Sequence, residues 1–348
     1  MATRNNLLDA GRRAGDILRE TRAKERIDAG YTRVDPLKIA ELSGVAVMFQ
    51  RLDRLLGAYI NEDRPGIIVN VDRPPGLVHM TCAHELGHHF LNHEATSDIQ
   101  IEYSNGAATV EQEADQFAYS LLAPTWLLNN ILRRKGWTTG SLSNPSNIYQ
   151  LSLRLGVSFT SMVWTLNRLK IISKHVAHNV INLAPKELKL ALTGTELAVK
   201  GHADVWLLDS SDRDVILEPR ANDVFVLELE NNAGAGYCWS VDEIRSAGYH
   251  VEVPSNKDVR TAPVDQNFPP DTLVGRRSSM RFTVSRPEDK AIEYGTQTPF
   301  SMIEHRRWQP SAEGQHRYNF AAEYEQMSTG LTSSEKSQRI EEAKAIGA

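Results

Sequence analysis

Residues 83–90 read Ala83-His84-Glu85-Leu86-Gly87-His88-His89-Phe90, and this stretch decides how the first half of the chain is read. Apolar spacing predicts a helix from about Gly76 to His93, with Met80, Ala83, Gly87 and Leu91 on one stripe with His84 and His88. Residues i and i+4 of a helix lie about 40° apart around its axis, so the two imidazoles project to one side and can grip one ion. Glu85 lies beside them, placed to hold and deprotonate a metal-bound water. Two histidines on a buried stripe need partners, and one metal satisfies both. The blander reading is a pair of core histidines with ordinary hydrogen bonds. Gly87 removes bulk where a second backbone can approach.

Working outward, a catalytic zinc takes three protein ligands and a water. Candidates for the third lie in Val110-Glu111-Gln112-Glu113-Ala114-Asp115, within a second predicted helix over Thr109–Leu122. Its buried face is Val110, Ala114, Phe117, Ala118 and Leu121. Glu113 sits at one edge of that face and Glu111 at the other, so periodicity does not choose between them. Asp115 is a candidate acceptor for orienting an imidazole. His79, Tyr103 and Tyr119 are the candidate oxyanion donors. His89 and His93 read as surface residues, and Cys82 as a small buried one.

The whole chain has 348 residues, 41% hydrophobic and 24% charged, with a net charge of −5. About two domains and a real core are expected. The acidic balance argues against a whole-chain nucleic-acid footprint. Two cysteines, Cys82 and Cys238, imply no disulfide framework and a reducing compartment. With no signal-like start and no long apolar run, the expected location is the cytoplasm, away from membranes.

Ahead of the histidine helix, Asn6–Arg22 and Asp35-Pro36 through Leu42 read as helices, and Val45–Arg51, Gly57–Asn61 and Gly66–Val71 as short strands. Helices fill Trp126–Ile172. From Val199 to Glu325 the texture changes to short alternating runs such as Val224–Leu229 and Met280–Val284, which suggest a β-sandwich. The expected organisation is a peptidase-like core over 1–124, a helical extension over 125–175, a linker over 176–195, a β-sandwich over 196–326 and a flexible tail over 327–348. The fold class is α+β: a mainly helical, zincin-like domain with a small sheet, then an all-β, immunoglobulin-like sandwich.

Several of these segments together resemble the ImmA/IrrE family of metallopeptidases. They are His84–His88, Glu113-Ala114-x-x-Phe117-Ala118, Leu121-Leu122-Ala123-Pro124, Val34-Asp35-Pro36 with Ile39-Ala40, Ile67–Asn70, Gly156-Val157-Ser158 and Asn167-Arg168-Leu169. The resemblance spans about residues 5–173. It implies Zn2+ held by His84, His88 and Glu113, with Glu85 as general base. Glu111, which with Asp115 mimics the Glu-x-x-x-Asp of thermolysin-like enzymes, is the reserve ligand. Ala123-Pro124 stands where the family usually has Met-Pro. The implied substrate is a helix-turn-helix transcriptional repressor, cut selectively to release a stress, phage-defence or mobile-element response.

The β-rich half resembles the chagasin-like cysteine-protease inhibitors at Asn231–Trp239, Val274–Phe282 and Arg306-Arg307-Trp308. Its first loop lacks the family's Pro-Thr-Thr core and its middle loop lacks the glycine cluster, so a shared fold is expected rather than inhibition. For the helices over Ser143–Leu169 the ImmA/IrrE resemblance implies a helix-turn-helix in some members, and the blander, favoured reading is a structural subdomain or substrate-docking surface. Arg154, Arg168 and Lys170, with Arg133–Lys135 nearby, are few for phosphate contacts, which argues against direct DNA binding. The rival readings are a metal-sensing protein of peptidase fold that does not cut, and an inhibitor acting through the C-terminal half.

Overall fold

The computed structural model describes residues 2–62, 64–93, 109–193, 203–253, 260–261, 278–306, 308, 316–332, 335–337 and 339–340. They form two compact units, Met1–Asn182 with Met327–Ala348, and Leu183–Gln326. No helix among the described residues is long and apolar enough to cross a membrane.

The first unit opens with α1 (Arg4–Glu20), α2 (Ala23–Asp28) and α3 (Pro36–Leu42). Asp35 caps α3, its carboxylate accepting from the backbone N–H groups of Leu37 and Lys38 ahead of a proline fitted to the first turn. Next come β1 (Ala46–Gln50), β2 (Gly57–Ile60) and β3 (Gly66–Asn70). β1 and β3 run parallel, and β2 pairs antiparallel with β3 at the sheet edge. The histidine helix α4 (Pro75–Phe90) packs on this sheet, on α3 and on α5 (Thr109–Leu122). Every residue of α4 from Val78 to His88 is buried, as a helix covered on several sides requires.

The helical extension is α6 (Thr125–Lys135), α7 (Pro145–Leu155), α8 (Phe159–Arg168) and α9 (Lys174–Ile181). It is part of the first unit rather than an appendage. A Cβ on Gly76, in the first turn of α4, would lie 2.5 Å from the carbonyl carbon of Val157, in the α7–α8 turn. Arg154, counted above among the basic residues, is 1% exposed and donates to Gln150.

The second unit starts with α10 (Pro185–Thr193), so helices occupy most of the stretch read as a linker over 176–195. Ser173 caps α9 through its hydroxyl, and Ala177, Val180, Leu188 and Leu192 are buried, which gives both helices an apolar footing. The strands are β4 (Val205–Leu208), β5 (Ile216–Leu217), β6 (Val224–Glu230) and β7 (Tyr237–Ser240), followed by the short α11 (Asp242–Ser246). Then come β8 (His250–Glu252), β9 (Arg260–Thr261), β10 (Ser278–Ser285), β11 (Gln297–Arg306) and β12 (His316–Glu323). One sheet runs β4-β6-β10-β8, with β9 added to β10, and the other runs β5-β12-β11-β7. Phe225 of β6 packs 5.5 Å from Phe300 of β11 and 5.2 Å from Phe320 of β12, so the sheets share an aromatic core.

Residues 327–348 were expected to fray, and at their start they do not. β13 (Gly330–Leu331) pairs antiparallel with β1 of the first unit, and Thr332 N–H donates to the Val47 carbonyl. Glu335, 3% exposed, meets Arg64 at 3.0 Å. An edge strand offers unpaired backbone groups, and this segment supplies their partners.

Candidate metal centre

The site begins with the close approach of two helices. A Cβ on Gly87 would lie 2.9 Å from Ala114 Cα, so α4 and α5 touch where glycine faces alanine. Glu111 and Asp115, four residues apart on α5, therefore both face His84. His84 Nε2 lies 3.1 Å from Glu111 Oε2, and His88 Nε2 lies 3.1 Å from His84 Nε2 and 3.5 Å from Glu111 Oε1. Three donor atoms, one from each side chain, lie within 4.8 Å of one another. A tetrahedral ion with bonds of about 2.0–2.1 Å separates its ligand atoms by about 3.3 Å. The donor set, two imidazoles and a carboxylate at 3.1–3.5 Å, fits one divalent metal.

The carboxylate beside the histidine pair is that of Glu111, the reserve ligand. Glu113, assigned as third ligand through the family resemblance, turns away from the histidine pair: its Oε1 accepts from Asn6 Nδ2 at 2.6 Å and its Oε2 meets His93 Nε2 at 3.3 Å. Successive helical residues are about 100° apart, so positions 111 and 113 point in nearly opposite directions. The Gly87–Ala114 contact turns Glu111 toward the histidines, a direction that periodicity alone had left open between Glu111 and Glu113.

Both histidines are supported from behind. Asp115 Oδ1 lies 2.9 Å from His84 Nδ1. His88 Nδ1 lies 3.1 Å from His93 Nδ1, and His93 continues to Glu113. His93 is therefore no surface residue; it is 9% exposed. α4 stops at Phe90, Asn92 takes a left-handed φ of 54°, and His93 N–H donates back to the His88 carbonyl. Extrapolating the helix past its end puts this ring in the wrong place, whereas the left-handed turn folds it under the site.

Glu85 is 3% exposed, and its Oε1 has no hydrogen-bond partner among the described residues. Burial raises its pKa, which the nearby histidines and the Tyr59 backbone N–H oppose. A Cβ on Gly57 would lie 3.2 Å from that Oε1, so edge strand β2 runs directly beside the carboxylate. Burial works against charge on His84, yet hydrogen bonds to Asp115 and Glu111 hold its pKa up at about 10. Hydrogen bonds to His84 and His88 keep Glu111 far below the usual carboxylate range. The pocket of acids and imidazoles is one that welcomes positive charge.

Other residues singled out in the sequence are engaged elsewhere. His79 lies against Arg33 and the Gly156 carbonyl. Tyr119 lies under the Arg168 guanidinium, 4.0 Å from its ring centroid. Tyr103 is outside the described residues. Tyr59, absent from the sequence reading, places its hydroxyl 2.9 Å from His89 Nδ1. Alternation within β2 marks such a residue as facing out of the sheet and nothing more.

Residues 40–167 match the family model Peptidase_M78, described as the IrrE N-terminal-like domain. The match runs from the end of α3 to α8, contains His84, His88 and Glu111, and bears out the ImmA/IrrE resemblance over this stretch. No curated protein matches the chain. Among the solved structures similar to part of it are two short chains. The crystal structure of the cysteine protease inhibitor EhICP2 from Entamoeba histolytica is 17% identical, covers 36% of this chain and 99% of its own, and gives a TM-score of 0.25. The solution structure of Amebosin is 16% identical, covers 35% and 98%, and gives 0.24.

Proposed function

We propose that the chain is a zinc-dependent endopeptidase that makes a selective cut in a protein partner. The observation that carries this reading is the triad of His84, His88 and Glu111 with Glu85 buried beside it, one carboxylate oxygen unpaired. Zinc held by that triad supplies a polarised carbonyl and a water of lowered pKa. Glu85, its own pKa raised by burial, accepts the proton of the attacking water and delivers it to the leaving amine. Asp115 and the His93–Glu113 pair keep the imidazoles oriented. An extended peptide adding to the open edge of β2 passes next to Glu85, a mode in which backbone hydrogen bonds supply the grip.

The partner favoured by the family resemblance is a helix-turn-helix repressor, met in the cytoplasm. The unit over Leu183–Gln326 is assigned a role in recognising it, because Trp308 is 69% exposed and covers Gly236, bringing two of its loops together. The test incubates the zinc-loaded chain with casein, with short peptides and with a small helix-turn-helix repressor encoded beside it. One discrete cut in the repressor, abolished in Glu85→Gln with zinc retained, is expected. Wild-type turnover in Glu85→Gln would contradict the assigned base. Many-site casein digestion would contradict the selectivity.

A further inference from the structure

A second cavity lies in the first unit, framed by α1, α5, α8 and the start of α6, with a volume of about 840 Å³. Its walls include Leu18, Ala123, Pro124, Trp126 and Leu169. Trp126 and Leu169 are 36% and 39% exposed, so apolar surface is left facing solvent at this spot. Gly11 and Gly15 of α1 also line it, and their missing side chains keep it open.

The charges around it are unevenly satisfied. At the rim, Arg19 pairs with Asp16, Arg22 with Glu25 at 3.9 Å and Lys24 with Asp28 at 3.9 Å. Arg168 differs. Its guanidinium carbon lies 4.0 Å from the Tyr119 ring centroid and the group makes one long hydrogen bond, 3.4 Å, to Gln116 Oε1; among the described residues no carboxylate comes within ion-pair distance. Tyr119 and then Asp115 act on it electrostatically, and the Asp115 carboxylate is committed to His84. An exposed guanidinium over an aromatic ring, beside apolar walls and without a carboxylate partner among the described residues, suits a carboxylate. The cavity has the size of a small-molecule site, its apolar walls interrupted by several polar and charged side chains, Arg168 among them.

We infer that this cavity binds a small carboxylate with an apolar body, its anionic head on Arg168 and its body against Trp126, Leu169 and Leu18. Paired rim charges and the open cation select a monoanion over a cation or a neutral amphiphile. The cavity and the candidate metal centre share α5, which lines the one with Gln116 and Tyr119 and brings Glu111 and Asp115 to the other.

Isothermal titration of the full chain, metal-free and zinc-loaded, tests this with decanoate and 4-phenylbutanoate and with the neutral amide of each. The carboxylates should bind at about one site per chain, and the amides about tenfold more weakly, the worth of a charge-assisted hydrogen bond. Arg168→Gln should lose a similar factor for the acids only, and Trp126→Ala should weaken acid and amide alike. Arg19→Gln, at the paired rim, should leave binding unchanged. The comparison of acid with amide uses the unaltered protein, so a variant that folds poorly leaves the test intact. Equal binding of acid and amide, or no heat with either acid at millimolar concentration, would overturn the assignment.

Discussion

Asp115 Oδ1 lies 2.9 Å from His84 Nδ1 while the opposite nitrogen of the same ring meets Glu111 at 3.1 Å, so one face of α5 supplies both carboxylates that flank the His84 ring. The spacing Glu-x-x-x-Asp does this because residues four apart share a helical face. An imidazole fixed at one nitrogen presents the other in a single tautomer and direction.

Asp115→Ala should therefore leave the three ligands in place and weaken zinc binding about 10- to 100-fold, the usual effect of losing an outer partner. Competition with a chromophoric chelator measures this. Unchanged affinity would mean His84 is oriented by packing alone.

Gly87→Ala should damage the site without touching a ligand. Its new methyl meets Ala114 Cα at 2.9 Å, so α5 must move, and Glu111 and Asp115 with it. Overpacking of this kind costs about 1–3 kcal/mol. Thermal melting and zinc stoichiometry should both fall; wild-type values for both would show the helices are less tightly set than described.

Much of this was legible in the sequence, for stated physical reasons. His84 and His88 follow from helical spacing, Asp35 from its place before Pro36 at a helix start, β1 and β2 from short strand-like stretches, and β3 from a β-branched run between turns. Gly87 as a point of close approach also follows from its place on the buried stripe. The choice between Glu111 and Glu113 depended on which side of α5 meets α4, a tertiary contact that the pattern of one helix does not contain. His93 was misread because helical extrapolation ignores the left-handed turn at Asn92. Residues 327–336 look like a polar tail because a two-residue strand has too little period to register, while its pairing with β1 comes from nearly three hundred residues away.

That pairing gives a stability prediction. A chain ending at Gln326 loses β13 and the Arg64–Glu335 contact, and the first unit should be destabilised by about 1–3 kcal/mol, the range of a typical damaging change. Urea unfolding with and without residues 327–348 reads this directly. Identical midpoints would show the segment contributes nothing.

The second unit should carry a pH signature at Asp223. This carboxyl is fully buried; burial foremost, and the charge of Asp204, push its pKa up from 3.8 to about 6. A folded-state pKa above the unfolded one contributes stability that is complete below about pH 4 and lost as pH rises through about 6. Against Asp223→Asn, which does not titrate, wild type should lose relative stability between those values. Urea midpoints of both proteins across pH 4–7.5 check this, and a constant difference would contradict it.

The central claim is that His84, His88 and Glu111 hold one metal while Glu113 only supports His88 through His93. Zinc content per chain, measured by elemental analysis of wild type, Glu111→Ala and Glu113→Ala after dialysis against trace metal, tests it most directly. About one zinc in wild type, none retained in Glu111→Ala, and a full but more weakly held zinc in Glu113→Ala is the predicted result. Full loading of Glu111→Ala together with an empty Glu113→Ala would contradict the ligand set.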